Sequence, residues 1–414
     1  MPSHPCPQRP FAIAVVLAAA CTDAGARQTA ILTDSAGVRI VESHSAAWEA
    51  GEAWRLDSVP ALRIGGEEDA EPAYDLLQVS DAVRLSDGRI ALINNGTSEL
   101  RFYDRAGRHL RTVGRSGDGP GEFRAMETLD RSPGDTLHVY DYLLRRFTSV
   151  APDGTLLRST GLRAALDGAF LQPLARLTDG SWVATAQVFS GEGEAGVRRD
   201  SLTLLRLASG VDSIADSIGR FPATEMYISR GGEGANRFVT FSLVPFGLST
   251  RVVAGANRIF VGNPERYLIQ VFRPDGGLER SLRRPIEREP VAEEEVARLR
   301  EHELGEADPR FREQIKAKWA NAPVAALKPA FARLSVDAEG ALWVEGPRVL
   351  ESDAGYADVF DREGRLLGQV PLPGGFRITD IGADYVLGVA RDGDTGLEQV
   401  RVYALDRGPR QIGD

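Results

Sequence analysis

One unit recurs along the chain: a short apolar strand, a tight turn at Gly or Asn, a second strand of β-branched or aromatic residues, then a third strand ending in an Asp-Gly type of turn. In the first unit, residues 82–85 lead through Ser86-Asp87-Gly88 to residues 89–93, and residues 100–103 lead to Asp104 and Gly107. Five more units follow, with first turns at Gly134, Gly180, Asn257, Gly340 and Asp384. From Gly88 onward these turns are 46, 46, 77, 83 and 44 residues apart. The short spacing suits a four-stranded propeller blade, and one such blade cannot bury its own apolar faces, so the units must stack in a ring. The pattern therefore predicts an all-β chain: a six-bladed β-propeller of four-stranded antiparallel blades over residues 38–414.

The two long spacings require insertions. Residues 223–245 include Gly231-Gly232-Glu233-Gly234 and read as a loop. Residues 285–328 are rich in Glu, Arg, Lys and Ala and read as a helical insertion between blades 4 and 5. Within it Asp308-Pro309 reads as an N-cap followed by a first-turn proline, and Phe311, Ile315 and Trp319 fall on one helix face. Packing of that stripe against the propeller side is the expectation, with a lid or a partner-binding face as alternatives. A ring left open would expose unpaired strand edges, so an N-terminal strand from residues 38–41 or 54–56 is expected to complete the last blade beside residues 400–403.

The N-terminus reads as an address. Residues 11–20 are uncharged and apolar, too short to span a bilayer and of signal-peptide length, with Arg9 as the positive flank. The run ends at Ala18-Ala19-Ala20-Cys21, which resembles a bacterial lipobox, where the cysteine is acylated and becomes the new N-terminus. The usual Leu sits one place early, at Leu17. Ordinary signal-peptidase cleavage after Ala20 or Ala26 is the other reading and gives a secreted protein. Residues 1–20 are thus expected to be a signal peptide, 21–37 a tether and Cys21 the lipid attachment, which places the chain at the cell envelope or periplasm. Cys6 and Cys21 are the only cysteines, so neither a disulfide framework nor a cysteine zinc site can be built. With 59 acidic against 49 basic side chains the net charge of -10 opposes nucleic acid as a partner.

The segment Gly114-Arg-Ser-Gly-Asp-Gly-Pro-Gly-Glu-Phe123 resembles the inter-blade junction of NHL-type repeats, as do the strand ends at 102–104, 271–277 and 359–364. Over residues 38–405 the chain is similar to uncharacterised bacterial six-bladed β-propeller lipoproteins that lie near the NHL and TolB-like propellers. The resemblance implies a propeller at the cell envelope and brings no reaction with it, because the shared motifs are turns and core strands.

Chemical motifs are sparse. The five histidines, at 4, 44, 109, 138 and 302, form no His-x-x-x-His pair, and neither a Gly-x-Ser-x-Gly elbow nor a P-loop occurs. Gly191-Glu-Gly-Glu-Ala-Gly196 fits a dinucleotide pattern formally, but two Glu would repel a pyrophosphate and no helix follows, so a hairpin loop is expected. Asp392-Gly-Asp-Thr-Gly396 with Glu398 offers carboxylates to calcium but departs from EF-hand spacing and reads as a hairpin turn. Propellers place binding sites on an axial face, so polar residues after the second strands are the candidates: Asn94, Asn95, Asp141, Tyr142 with Arg145, and Asn263 with Arg266. Arg237, in the loop before the fourth blade, could reach the same face. Trp182 and Trp343 occupy equivalent second strands and are expected in the core.

Three functional classes remain open from sequence. The first is a non-catalytic module that binds an envelope protein, a peptide or a small molecule, without a cofactor. The second is an enzyme like the six-bladed lactone hydrolases or lyases, which would need calcium or zinc in the channel. The third is a structural or sensory part of an envelope complex that makes contact through residues 285–328.

Overall fold

The computed structural model describes residues 29–49, 51–66, 71–189, 194–231, 238–392 and 395–408. The signal peptide and Cys21 lie outside these residues. Among the described residues the antiparallel strands assemble into sheets that follow the sequence units in order. Sheet 1 holds Val79–Arg84, Ile90–Asn94, Glu99–Tyr103 and His109–Val113. Sheet 2 holds Met126–Arg131, Leu137–Asp141, Arg146–Val150 and Leu156–Gly161. Sheet 3 is Ala169–Arg176, Trp182–Val188, Ser201–Leu207 and Ile214–Pro222, and sheet 4 is Arg251–Gly255, Arg258–Asn263, Leu268–Phe272 and Leu278–Arg283. Sheet 5 comprises Arg333–Val336, Leu342–Glu345, Gly355–Phe360 and Leu366–Leu372. Sheet 6 takes Phe376–Ile381, Tyr385–Arg391 and Glu398–Asp406 from the C-terminus.

The first strand of each sheet touches the first strand of the next, and that of sheet 6 touches Val79–Arg84 of sheet 1 again. The apolar core is divided accordingly. One cluster, with Phe123 and Val139, lies between sheets 1 and 2, and another, with Tyr140 and Trp182, between sheets 2 and 3. The series continues around to a cluster between sheets 6 and 1 that contains Ile64, Tyr103 and Leu387. The fold is a β-propeller, and each sheet buries both faces only because its neighbours cover them. Trp182 and Trp343 are core residues, as expected.

Local chemistry explains the strand breaks. In the Pro152-Asp153-Gly154 turn the Gly154 N–H donates to the Ala151 carbonyl at 2.8 Å, Asp153 Oδ1 accepts from the Thr155 N–H at 2.9 Å, and Gly154 sits at φ 84°. That is a left-handed position, where glycine avoids the strain of a Cβ. Neighbouring sheets are also stitched near the axis by carboxylates. Asp380 Oδ2 accepts from the Arg84 N–H at 2.9 Å, Asp81 Oδ2 from Leu129 at 3.0 Å, and Asp130 Oδ1 from Arg176 at 3.2 Å. Each bond joins the inner strand of one sheet to that of the next.

Closure is the work of the N-terminal segment. Leu62–Ile64 pairs antiparallel with Val400–Val402, and Arg55–Leu56 pairs with Leu405 and Asp406, so sheet 6 gains its outer strand from the other end of the chain. Residues 38–41 behave differently from expectation. Val38–Ser43 runs parallel to Leu278–Arg283 on the edge of sheet 4, and Ala30–Ser35, expected in a tether, is a strand paired with it. Val41 is fully buried there, which explains why this strand docks at sheet 4. From there the chain straps across sheet 5: Ser43 Oγ accepts from the Leu366 N–H at 3.1 Å and the Trp48 N–H donates to the Leu367 carbonyl at 2.8 Å. Trp48 lies on Gly368, where a Cβ would come within 2.1 Å of its ring.

Two expectations about the long intervals need correction. Residues 223–245 are more than a loop: Met226–Gly231 and Phe238–Leu243 form a hairpin that Gly196–Arg198 joins as a third strand. Residues 285–328 contain two helices, α1 (Glu293–Gly305) and α2 (Arg312–Asn321), and the second starts after Phe311 and not at Asp308. Neither helix has a buried residue, and Phe311 is 51% exposed. The two are clamped to each other by Glu303, which accepts from Lys318 Nζ at 2.7 Å and Trp319 Nε1 at 2.9 Å. The stripe stays unburied: Trp319 turns its indole N–H to the Glu303 carboxylate that Lys318 also binds, and Phe311 stands in solvent.

Arg407 locks the closing seam. Its guanidinium lies 4.2 Å over the Trp54 ring and donates to Asp337 Oδ2 at 2.9 Å and Glu339 Oε2 at 3.1 Å, while Trp54 packs 6.0 Å from Trp343. Replacing Arg407 with Ala leaves the fully buried Asp337 carboxylate short of its cation and is expected to destabilise the fold by about 2 to 3 kcal/mol. Urea unfolding measures this, and a change below about 0.5 kcal/mol would move the seam elsewhere.

Candidate functional site

Antiparallel connectivity sorts the loops onto two faces. The starts of the inner strands, the ends of the second strands and the links between sheets share one face, here called the connection face. The turns between first and second strands share the other. Helices α1 and α2 and the three-stranded sheet all arise from links or turns on the connection face. The Ala325 N–H donates to the Pro245 carbonyl at 3.1 Å, so the stretch after α2 meets the stretch after the added hairpin.

The axial channel opens on the turn face as a cavity of about 460 Å³ to which all six sheets contribute, through Val83, Asp130, Arg176, Ala254, Val336 and Asp380 among others. Of the stitching carboxylates, Asp130 and Asp380 line it. Burial raises Asp81 to about 7 against the pull of Leu129 N–H and Arg377, with Asp380 adding to the rise, and burial raises Asp130 to about 6.

The expected site residues divide by role. Asn94 is fully buried, accepts from the Leu77 N–H at 2.7 Å and donates to the Asp75 carbonyl at 3.2 Å. Asn95 bridges sheets by donating to the Met126 carbonyl at 2.6 Å and accepting from the Met126 N–H at 2.9 Å. Asp141 is buried and accepts from the backbone of Arg124 at 2.6 Å and Leu144 at 3.0 Å. These three are committed to the backbone. Arg145 likewise donates to the Ala164 carbonyl at 3.3 Å, and Asn263 Oδ1 accepts from the Glu265 N–H at 3.1 Å. Tyr142 is exposed and meets Phe170 edge-on at 6.5 Å, and Arg266 is exposed. Arg237 lies outside the described residues. Of the other motifs, Glu398 accepts from the Val79 N–H at 2.6 Å, and Asp392 caps the turn to Thr395 at 3.0 Å. Among the described residues no three His, Cys, Asp or Glu side chains converge where they could hold a metal ion.

What does converge on the connection face is a set of arginines. Arg251, Arg333 and Arg377 stand at the first or second position of the inner strands of sheets 4, 5 and 6. Burial, together with the charge of Arg333, lowers both Arg251 and Arg377 from the ordinary guanidinium range, although carboxylates including Asp81 partly support Arg377. Arg377 is fixed by the Val79 carbonyl at 2.7 Å and the Ser80 carbonyl at 3.1 Å. Arg333 grips Glu351 with both ends of its fork, at 2.5 and 3.2 Å. Two cavities of about 360 and 670 Å³ open here, sharing Arg333, Glu351 and His302 of α1. Ion pairs from Arg298 to Asp353 at 2.6 Å and from Arg391 to Glu306 at 3.0 Å hold α1 beside them.

No protein-family model and no curated protein sequence matches the chain. Solved structures are similar at low identity. A member of the DUF4221 family from Bacteroides vulgatus matches with a TM-score of 0.50 and 11% identity, covering 86% of this chain and 99% of its own. A Bacteroides fragilis protein designated as exported matches with a TM-score of 0.46 and 10% identity over 90% of this chain and 99% of its own. A streptogramin B lyase matches with a TM-score of 0.40 and 8% identity over 87% of this chain and 99% of its own. At these identities the first likeness speaks to fold alone.

The arginines escaped the sequence reading, which looked only after the second strands. A signal was present: Arg251, Arg333 and Arg377 precede the first turns at Asn257, Gly340 and Asp384 by six or seven residues in three consecutive units. The channel acids generate a pH prediction. The fold prefers Asp81 neutral, so its stabilising contribution is complete below the free-acid value of 3.8 and is lost as pH rises through about 7. Thermal unfolding of Asp81→Asn against the parent is expected to remove a decline of roughly 4 kcal/mol across that window, and parallel curves at every pH would refute the assignment.

Proposed function

We propose that the chain is an exported six-bladed β-propeller that holds a small polar ligand or a peptide end at the connection-face mouth of its channel, without transforming it. Six sheets with six apolar clusters between them support six blades, and α1 and α2 support reading residues 285–328 as an insertion between blades 4 and 5. The similarity to a protein designated as exported agrees with the apolar run at residues 11–20. Acylated Cys21 would tether the ring to a membrane at the cell envelope, where a partner protein or peptide could also meet it.

The observation that carries the reading is the convergence of Arg251, Arg333 and Arg377 from three inner strands onto roofed cavities. Rigid strands hold these side chains, so a ligand does not have to order them, and preorganisation of this kind favours binding. Like charges gathered in one mouth are costly to the fold, which is the usual mark of a site kept for function.

Thermal unfolding of the full chain against neutral sugars, polyamines, carboxylates, phosphate and short peptides tests the reading. One class is expected to raise the melting temperature by several degrees, and Arg333→Ala to abolish that gain. No stabilising class, or a gain that Arg333→Ala leaves intact, would overturn it. Cys21→Ser is expected to move the protein from the membrane to the soluble fraction, and an unchanged distribution would remove the lipid tether.

A further inference from the structure

Resting on the ligand-binding reading, we propose that the connection-face mouth takes a ligand bearing a carboxylate, held between Arg251 and Arg333, and that Glu351 occupies the place of that carboxylate in the free protein. Three features lead there. The Arg333 fork is already engaged by a carboxylate in the two-point geometry that guanidinium and carboxylate share. Glu351 is 66% exposed and comes from the loop after the second strand of sheet 5, so it can turn to water when a ligand replaces it. Arg251 faces the same cavity and has no carboxylate partner among the described residues.

The wall of the cavity is built from buried polar groups that are not fully satisfied. Glu345 and Arg348 line it with side chains only 3% and 8% exposed, 3.6 Å apart, and among the described residues Glu345 Oε1 and one terminal nitrogen of Arg348 have no hydrogen-bond partner. A polar group entering the cavity could satisfy them, which a bare apolar ligand could not. Glu345 is the cross-strand neighbour of Arg333, and burial raises its carboxyl above the usual range despite the nearby Arg333, Arg348 and Arg377.

The charge around the mouth disfavours a strongly charged anion. Arg251, Arg333, Arg348, Arg377 and Arg391 face Glu303, Glu306, Glu345, Glu351, Asp392 and Glu398, so a single carboxylate that takes the place of Glu351 keeps the balance and a doubly charged group meets repulsion. The cavity of about 670 Å³ beyond Arg333 leaves room for the body of the ligand, so an organic acid or a peptide C-terminus suits the site better than a small free anion.

Titration calorimetry of the full chain with butyrate and an N-acetylated dipeptide bearing a free C-terminus, against inorganic phosphate and glucose, tests this. Arg251→Gln and Arg333→Gln are each expected to weaken carboxylate binding tenfold or more. Glu351→Gln is expected to tighten it severalfold by releasing Arg333, whereas Glu363→Gln, the same charge change in a turn on the opposite face, leaves it unchanged. A purely structural role for the Arg333–Glu351 pair would not tighten binding, so equal effects of Glu351→Gln and Glu363→Gln overturn the proposal. Phosphate binding tighter than either carboxylate overturns it too. If Arg333→Gln does not fold, Arg251→Gln and Glu351→Gln carry the test. Should glucose or a polyamine stabilise the chain through Arg333 while carboxylates do not, the ligand class is wrong and the binding reading stands; if no class binds, both fall.

Discussion

The pairing of Leu62–Ile64 with Val400–Val402 is the contact on which the ring depends. A propeller sheet is stable only when both faces and both edges are covered, and the inner strand of sheet 6 can lean on sheet 1 only if sheet 6 is complete. The N-terminal segment supplies the missing strand after first lying along sheets 4 and 5. It ties three consecutive sheets together through Val41, Ser43, Trp48 and Trp54, and Arg407 closes the last gap from the C-terminal side. Contacts between residues more than 300 apart in sequence therefore hold a structure made otherwise of local hairpins. Such contacts form late, because loop closure must be met before they contribute.

A closed ring determines where polar chemistry can collect. Side chains on the sheet faces are buried between neighbours, so charged groups are left with the channel and the two rims. Toward the turn face the acids Asp130 and Asp380 spend oxygens on the next sheet's backbone. On the connection face the corresponding positions of sheets 4, 5 and 6 carry arginines, and the chain adds its two helices and its extra hairpin on the same side. One rim is thus specialised for holding the ring and the other carries the arginine cluster and is partly roofed.

The helices show how the roof can stay separate from the core. They carry no buried residue and are attached by ion pairs at Asp353, Glu306 and Lys328. Partly exposed pairs of this kind contribute little each and weaken with salt, so the roof is the least firmly held part of the connection face.

The order of sheets was legible in the sequence because each unit repeats a local rule: Asp-Gly turns need left-handed glycine, and β-branched runs between them need neighbours on both faces. Trp182 and Trp343 were legible for the same reason. The two helices were visible in part, but their boundaries and their exposed stripe were not, since Trp319 turns to Glu303 rather than to the propeller. The partners of the candidate site residues were not legible. Asn94, Asn95 and Asp141 look like ligand groups in a string of residues, and only the folded ring reveals that backbone N–H and carbonyl groups from adjoining segments claim them first. Sequence by itself determined the repeating hairpins and their Asp-Gly turns, because those depend on residues a few places apart, but not the added pairs Ala30–Ser35 with Val38–Ser43 and Met226–Gly231 with Phe238–Leu243. Tertiary structure decided which end closes the ring, which asparagines are spent on it, and that Arg251, Arg333 and Arg377 share one mouth, because each of these is a contact between segments that chain order keeps far apart.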